Sequence, residues 1–126
     1  DFAAAKVDEV IDLATDITLK MQPALREQNP EIRNIKRTEL SREILPRWLG
    51  FMDQLLIDNG NTGFFVGPSL TVGDLAAWRL CGWIQGGIID GIPQTQLDAH
   101  PALLQHYLKI GKMQKIIEWM KRHYNS

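Results

Sequence analysis

Gly63-Phe64-Phe65-Val66-Gly67-Pro68-Ser69-Leu70-Thr71-Val72-Gly73-Asp74-Leu75-Ala76-Ala77-Trp78 reads as a structured loop that delivers an unusually apolar helix into the protein interior. Thr71 and Asp74 are its hinge. In the spacing T-x-x-D the Thr71 hydroxyl can accept from the Asp74 backbone N–H while the Asp74 carboxylate reaches back to the Thr71 N–H, a capping box with aspartate in place of glutamate. Leu70, just outside the cap, and Leu75, at the fourth helical position, are spaced as a hydrophobic staple that sets the angle between loop and helix. From Val72 to Ile84 the charged exceptions are Asp74 and Arg79, so the pattern predicts a helix apolar all round, with no face left for water, inside a bundle.

Upstream, Phe2 to about Gln28 carries a helical period: Val7, Ile11, Ala14, Thr18, Met21 and Leu25 form one stripe, widened by Val10, Leu13 and Ile17. Asp8, Asp12 and Asp16 form a separate ridge at i, i+4 and i+8, a spacing that disfavours like charges in an isolated helix. Two readings stand: a solvated face with Asp16 paired to Lys20 one turn on, or a carboxylate wall beside a cleft, able to receive an ammonium group. Asn29-Pro30 marks a boundary. A second long helix is expected from about Ile35 to Asn59, with Leu40, Ile44, Leu45, Trp48, Leu49, Met52, Leu55 and Leu56 as its apolar stripe and a bend at Pro46. Asp58-Asn59-Gly60-Asn61 then supplies a C-cap and turn.

Downstream, Gly86-Gly87 ends the central helix and residues 88–93 form a short connector. A helix opens at Pro101 and runs through Leu103, Leu104, Tyr107, Leu108 and Ile110 to Gly111. A last one, from about Met113 to His123, is expected to turn Ile116, Ile117, Trp119 and Met120 inward. The fold class is all-α: one domain over residues 1–126, a bundle of about five or six helices around the Val72–Ile84 segment.

Composition narrows the chemistry. With 126 residues and a formal charge of −1, the chain offers no general attraction to nucleic acid or an anionic membrane. No apolar run reaches the ~18 residues of a membrane span, and no basic-then-apolar leader opens the sequence, so a soluble cytoplasmic protein is expected. Cys81, the one cysteine, lies in the apolar helix as a small core residue. His100, His106 and His123 lack metal-ligand spacing, so no metal site is expected and each is assigned a surface or packed role. There is no G-x-S-x-G elbow, and Gly86-Gly87 has neither a preceding strand nor a Lys-Ser/Thr to make a phosphate loop. Trp48, Trp78, Trp83 and Trp119 fall on helical stripes as core or groove wall. The chain enters helical pattern directly at Asp1, which suggests that something precedes it.

The G-x-x-x-V-G loop followed by the T-x-x-D box closely resembles the start of the central core helix in the C-terminal domain of cytosolic glutathione transferases, where the box is a folding signal. The segment A-A-K-V-D-E-V-I-D-L-A-T-D-I resembles the first C-domain helix of the sigma, pi, alpha and mu type classes. H-P-A-L-L-Q-H-Y-L-K-I and K-I-I-E-W-M resemble the final helices, with Gln114 standing where the family commonly has proline. The resemblance implies that Asp16 reaches across a homodimer interface towards the γ-glutamyl amine of glutathione, with Asp12 supporting it or lining the dimer cleft. A carboxylate suits an ammonium donor. It further implies that Thr18, Gln22, Pro23 and Arg26 border the hydrophobic pocket for a small electrophilic substrate.

On this resemblance the chain is the helical half of a glutathione-conjugating, detoxifying enzyme. Glutathione is its co-substrate, and no cofactor is required. An N-terminal thioredoxin-like domain, absent from this chain, supplies the thiolate-stabilising residue, so this piece holds no catalytic residue and is expected to be inactive alone. The alternative is a non-catalytic interaction or structural module of the same helical fold.

Overall fold

The computed structural model describes residues 1–124, all of them helix, turn or loop. Six α-helices follow in order: α1 (Phe2–Arg26), α2 (Pro30–Glu39), α3 (Leu45–Asp58), α4 (Val72–Gln85), α5 (Pro101–Gly111) and α6 (Gln114–Tyr124), with a π-helical turn, Leu40–Ile44, joining α2 to α3. The core lies where α1 and α5 meet the two helices between which they run: α4 packs on α1 and α5, and α3 packs on the same two helices.

The Asp1 carboxylate caps α1 by accepting from the Ala4 N–H at 2.9 Å. The helical period holds, but the buried line runs through Val10, Ala14, Ile17, Met21 and Ala24, while Val7, Ile11, Thr18 and Leu25 are half-buried at its margins. The reason is topological: α1 is wedged between α3 and α4, so its deepest side chains point between two neighbours instead of at one.

The second helical run begins at Pro30 and not at Ile35. Asn29 caps it, accepting from the N–H groups of Glu31 at 3.0 Å and Ile32 at 3.1 Å. No side chain of α2 is buried, so no apolar stripe announced its first turns. The expected bend at Pro46 takes the form of the π turn. With i to i+5 bonding, the Ser41 carbonyl would accept from residue 46, and proline has no N–H to give. Gln96 replaces it: its Nε2 donates to the Ser41 carbonyl at 2.8 Å, and the Ser41 hydroxyl returns a bond to Gln96 Oε1 at 2.9 Å. The chain therefore stays helical through proline, and the 86–100 connector is fastened to the α2–α3 junction. Arg37 adds a second fastening, donating to the carbonyls of Ala24 at 3.2 Å and Asp90 at 2.7 Å.

Asn59, the C-cap of α3, organises the loop that follows. Its Nδ2 donates to the carbonyls of Phe64 and Gly67, each at 2.9 Å, and its Oδ1 accepts from the Gly67 N–H at 3.3 Å. Gly63 takes φ +87°, and a Cβ there would collide with Lys109 Nζ, which donates to the Gly63 carbonyl at 3.2 Å and lies 3.7 Å from the Phe64 ring centroid. The positive φ is what calls for glycine at this turn, since the Lys109 side chain could swing aside from a Cβ.

The predicted capping box opens α4. The Thr71 N–H donates to Asp74 Oδ2 at 2.8 Å, and the Thr71 side chain faces the Asp74 N–H, whose best-aligned acceptor is the Thr71 carbonyl at 3.1 Å. Asp74 does more than cap. It is completely buried, and Oδ1 also accepts from the Phe65 N–H at 3.0 Å and from His106 Nε2 at 2.8 Å. Burial alone would raise this carboxyl's pKa; the hydrogen bonds from His106, Thr71 and Phe65 outweigh it and hold the group below its ordinary value. The carboxylate is therefore ionised at neutral pH, and His106 must carry its proton on Nε2 to donate to it. One side chain joins the loop, α4 and α5. Leu70 and Leu75, the proposed staple, are both half-buried.

Two expectations need correction. The α4 helix is central but not closed off all round: Gly73, Asp74, Ala77, Leu80, Cys81 and Ile84 are buried, whereas Val72 is 61% exposed and Arg79 faces solvent. The cause is that α1 and α5 cover two sides and leave a third open. On α6, Ile116 is buried and Ile117 half-buried as expected, but Trp119 and Met120 are 43% and 38% exposed. That helix packs on α5 alone, so one narrow stripe suffices to seat it.

Candidate functional site

α1 is the wall on which the candidate residues stand, and its geometry sorts them into faces. Residues four apart advance 400° and so stay within about 40° of one another, which puts Asp8, Asp12 and Asp16 on one ridge. With Glu9 they line a groove of about 590 Å³ whose opposite wall is Phe51 and Leu55 of α3. No basic residue lines it. Glu9 is engaged by Lys6 at 3.2 Å, but none of the three aspartates enters an ion pair among the described residues.

The pairing of Asp16 with Lys20 is not what the structure adopts. Lys20 turns towards α3, its Nζ 4.5 Å from the Trp48 ring centroid, a cation–π contact that leaves the Asp16 carboxylate uncompensated. Trp48 is held edge-on by Phe51, with ring centroids 5.4 Å apart. Asp16 also lines an adjoining groove of about 660 Å³ with Lys20, Pro23, Ile44 and Trp48. Asp16 thus belongs to both grooves, at the point where an acidic channel meets an aromatic one.

The four expected pocket residues are not brought together. Pro23 lies in the groove with Asp16 and Trp48, whereas Thr18 lies on the other flank of α1, in a groove of about 510 Å³ shared with Arg79 and Trp83 of α4. The Thr18 hydroxyl donates back to the Ala14 carbonyl at 3.0 Å. Gln22 is half-buried, Arg26 is exposed, and neither is on the walls of these three grooves.

Chemically, the acidic groove can accept hydrogen bonds from an ammonium or guanidinium group, each strengthened by charge. Cys81 adds no nucleophile: burial pushes its thiol up to about 12. His106 is committed to Asp74, and its Nδ1 is buried with no hydrogen-bond partner. Trp48, expected as core or groove wall, does line a groove, whereas its neighbour Phe51 and the role of His106 were missed in the sequence. Trp48 and Phe51, at i and i+3, could have been recognised as one aromatic patch. The link from His106 to Asp74 spans 32 residues and carries no local signal.

An all-helical domain built on a buried capping-box helix, with an acidic groove along its first helix, is the class defined so far. The family model described as the C-terminal domain of glutathione S-transferase matches residues 15–123, and the chain belongs to that family. Among solved structures, one described as "Structure of NaGST-2" has the same fold, with a TM-score of 0.80 at 23% identity over 100% of this chain. The match covers 60% of that chain, so this protein spans about three-fifths of its length. No curated protein matches significantly.

Proposed function

We propose that this chain is the helical half of a glutathione transferase, which conjugates glutathione to electrophiles and acts as a homodimer in the cytoplasm. The observation that carries this reading, beyond family membership, is the unpaired carboxylate ridge. Asp16, supported by Asp12, accepts the γ-glutamyl ammonium of glutathione held by the partner subunit. An N-terminal thioredoxin-like domain holds the rest of the tripeptide and lowers the thiol pKa, so that a thiolate attacks the electrophile.

The residues of this chain bind and orient. The carboxylates fix the amine end, and fixing both ends of glutathione limits where its sulfur can point. Of the four residues expected to border the pocket, Pro23 beside Trp48 is the one we assign to the apolar wall for the second substrate, next to Asp16. No residue of the chain exchanges a proton with the reacting atoms, and the 126-residue piece alone is expected to be inactive. The test is made on the full-length protein: retention on immobilised glutathione and conjugation of a general electrophile. A protein that does neither is not a transferase, whatever its fold.

A further inference from the structure

We infer that Trp48 is a positioning residue for the glutathione amine: its ring holds the Lys20 ammonium away from Asp16 and so keeps that carboxylate open to a ligand. The inference rests on the reading of Asp16 as acceptor of the γ-glutamyl ammonium, and it names the chain's own competitor for that place.

The competition follows from helix geometry. Asp16 and Lys20 stand four residues apart on α1, with the acid nearer the N-terminus, the order that best favours an ion pair across one turn. Both residues are exposed and free to swing together. Lys20 nevertheless places its Nζ 4.5 Å from the Trp48 ring centroid, and Asp16 enters no ion pair among the described residues. The two arrangements lie close in free energy. An exposed pair across one turn is favoured by a factor of about two, and a cation over an exposed indole face by a factor of about two to five. The indole wins by a small margin, and Asp16 is left open.

The surroundings of Trp48 secure that margin. The ring is half-buried against the core, and Phe51 meets it edge-on at 5.4 Å, so its face towards Lys20 is fixed. Phe51 in turn has the Arg47 guanidinium 5.9 Å from its own centroid. The two rings therefore take one cation each, and neither cation pairs with an aspartate. A leucine at position 48 would keep the groove apolar while offering Lys20 no π face, and the carboxylate one turn back is Asp16. An incoming ammonium then has to displace Lys20, and its apparent affinity falls with the fraction of molecules whose acceptor is open. On the factors above, that fraction is about two in three with Trp48 and about one in three without it.

The experiment is calorimetric titration of the full-length protein at low salt, where the competing pair is least screened. The ligands are glutathione and glutathione acetylated at its γ-glutamyl nitrogen; the proteins are wild type, Trp48→Leu, Lys20→Met and the double variant. The readout is the ratio of the two affinities, which a general loosening of the groove would leave unmoved because the ligands share the rest of the tripeptide. Trp48→Leu is expected to cut the wild-type ratio about twofold, and adding Lys20→Met to restore it to the wild-type value or above. Trp48→Met takes the place of leucine should that variant not fold, and Trp48→Phe, which keeps an aromatic face, should retain most of the ratio. An unchanged ratio in Trp48→Leu overturns the inference. So does a reduced ratio that Lys20→Met fails to restore, since the tryptophan would then act by shape alone. A wild-type ratio of one is a different failure: it removes Asp16 as acceptor of the amine, and the inference falls with that reading.

Discussion

Replacing Asp74 by alanine removes the acceptor of four hydrogen bonds at once: from the Thr71 N–H at 2.8 Å, the Thr71 hydroxyl at 3.3 Å, the Phe65 N–H at 3.0 Å and His106 Nε2 at 2.8 Å. An exposed cap would lose only ~0.5–2 kcal/mol. Here Asp74 is fully buried, and the Phe65 and His106 donors lose their acceptor where water does not reach them, while the half-buried Thr71 is left at the edge of solvent. At ~1–3 kcal/mol for each orphaned donor, with some relaxation of the loop, the loss is expected to be about 3–5 kcal/mol. With an unfolding entropy of ~2.1 cal/mol/K per residue, that corresponds to a fall in Tm of about 15 °C for a chain of this length.

Urea unfolding followed by circular dichroism measures the loss, with His106→Asn as a milder companion should the alanine variant not fold. The companion leaves the box itself intact and is expected to lose about 1–3 kcal/mol. The acid limb provides an independent check. Because the folded-state pKa of Asp74 is depressed, its contribution is fully present above the unfolded value near 3.8 and disappears as pH falls below it through the folded value. Wild type should therefore lose stability across that window more steeply than Asp74→Ala. A loss under about 1 kcal/mol in the alanine variant, within the range of an ordinary surface cap, would refute the reasoning.

Gln96→Leu deprives the Ser41 carbonyl of its donor at the π turn and is expected to cost about 1–3 kcal/mol in urea unfolding; an unchanged midpoint would mean that water replaces the amide readily. Cys81, buried with its thiol pushed up to about 12, should resist a thiol reagent at pH 8 until denaturant is added, and prompt labelling of the native protein would contradict its placement. Burial holds His100 below the ordinary histidine value despite the opposing charge of Asp53, so the unfolded chain takes up its proton first on acidification. Stability should accordingly decline as pH drops below about 6.5, a dependence that His100→Gln flattens.

The parts of this fold that were legible in the sequence are those fixed within one or two turns. Thr71 and Asp74 stand three residues apart, so their reciprocal bonding is set by helix geometry, and the Asn59-Gly60-Asn61 turn follows from residues that tolerate positive φ. What depends on topology was hidden. His106 reaches Asp74 only after α5 has folded back on α4, and Lys20 chooses Trp48 over Asp16 because α3 crosses α1 at that height. The π turn escaped notice because a proline within an apolar stripe predicts a bend without saying which carbonyl is orphaned or what will fill it. In the candidate site, the carboxylate ridge was readable from its four-residue spacing. The separation of Thr18 from Pro23 was readable too: five residues turn about 140° around a helix and cannot share a face. The opposing walls, Phe51 and Leu55 on one flank and Arg79 and Trp83 on the other, came only with the packing.

Asp16 as acceptor of the glutathione amine is the claim on which the functional account turns. It is tested by titrating the full-length protein with glutathione and with glutathione acetylated at its γ-glutamyl nitrogen, in wild type and in Asp16→Asn. The account predicts that wild type prefers the free amine by about tenfold, the worth of one charge-assisted hydrogen bond, and that the variant loses this preference while its affinity for the acetylated form is unchanged. A preference of the same size in Asp16→Asn, or none in wild type, would contradict it.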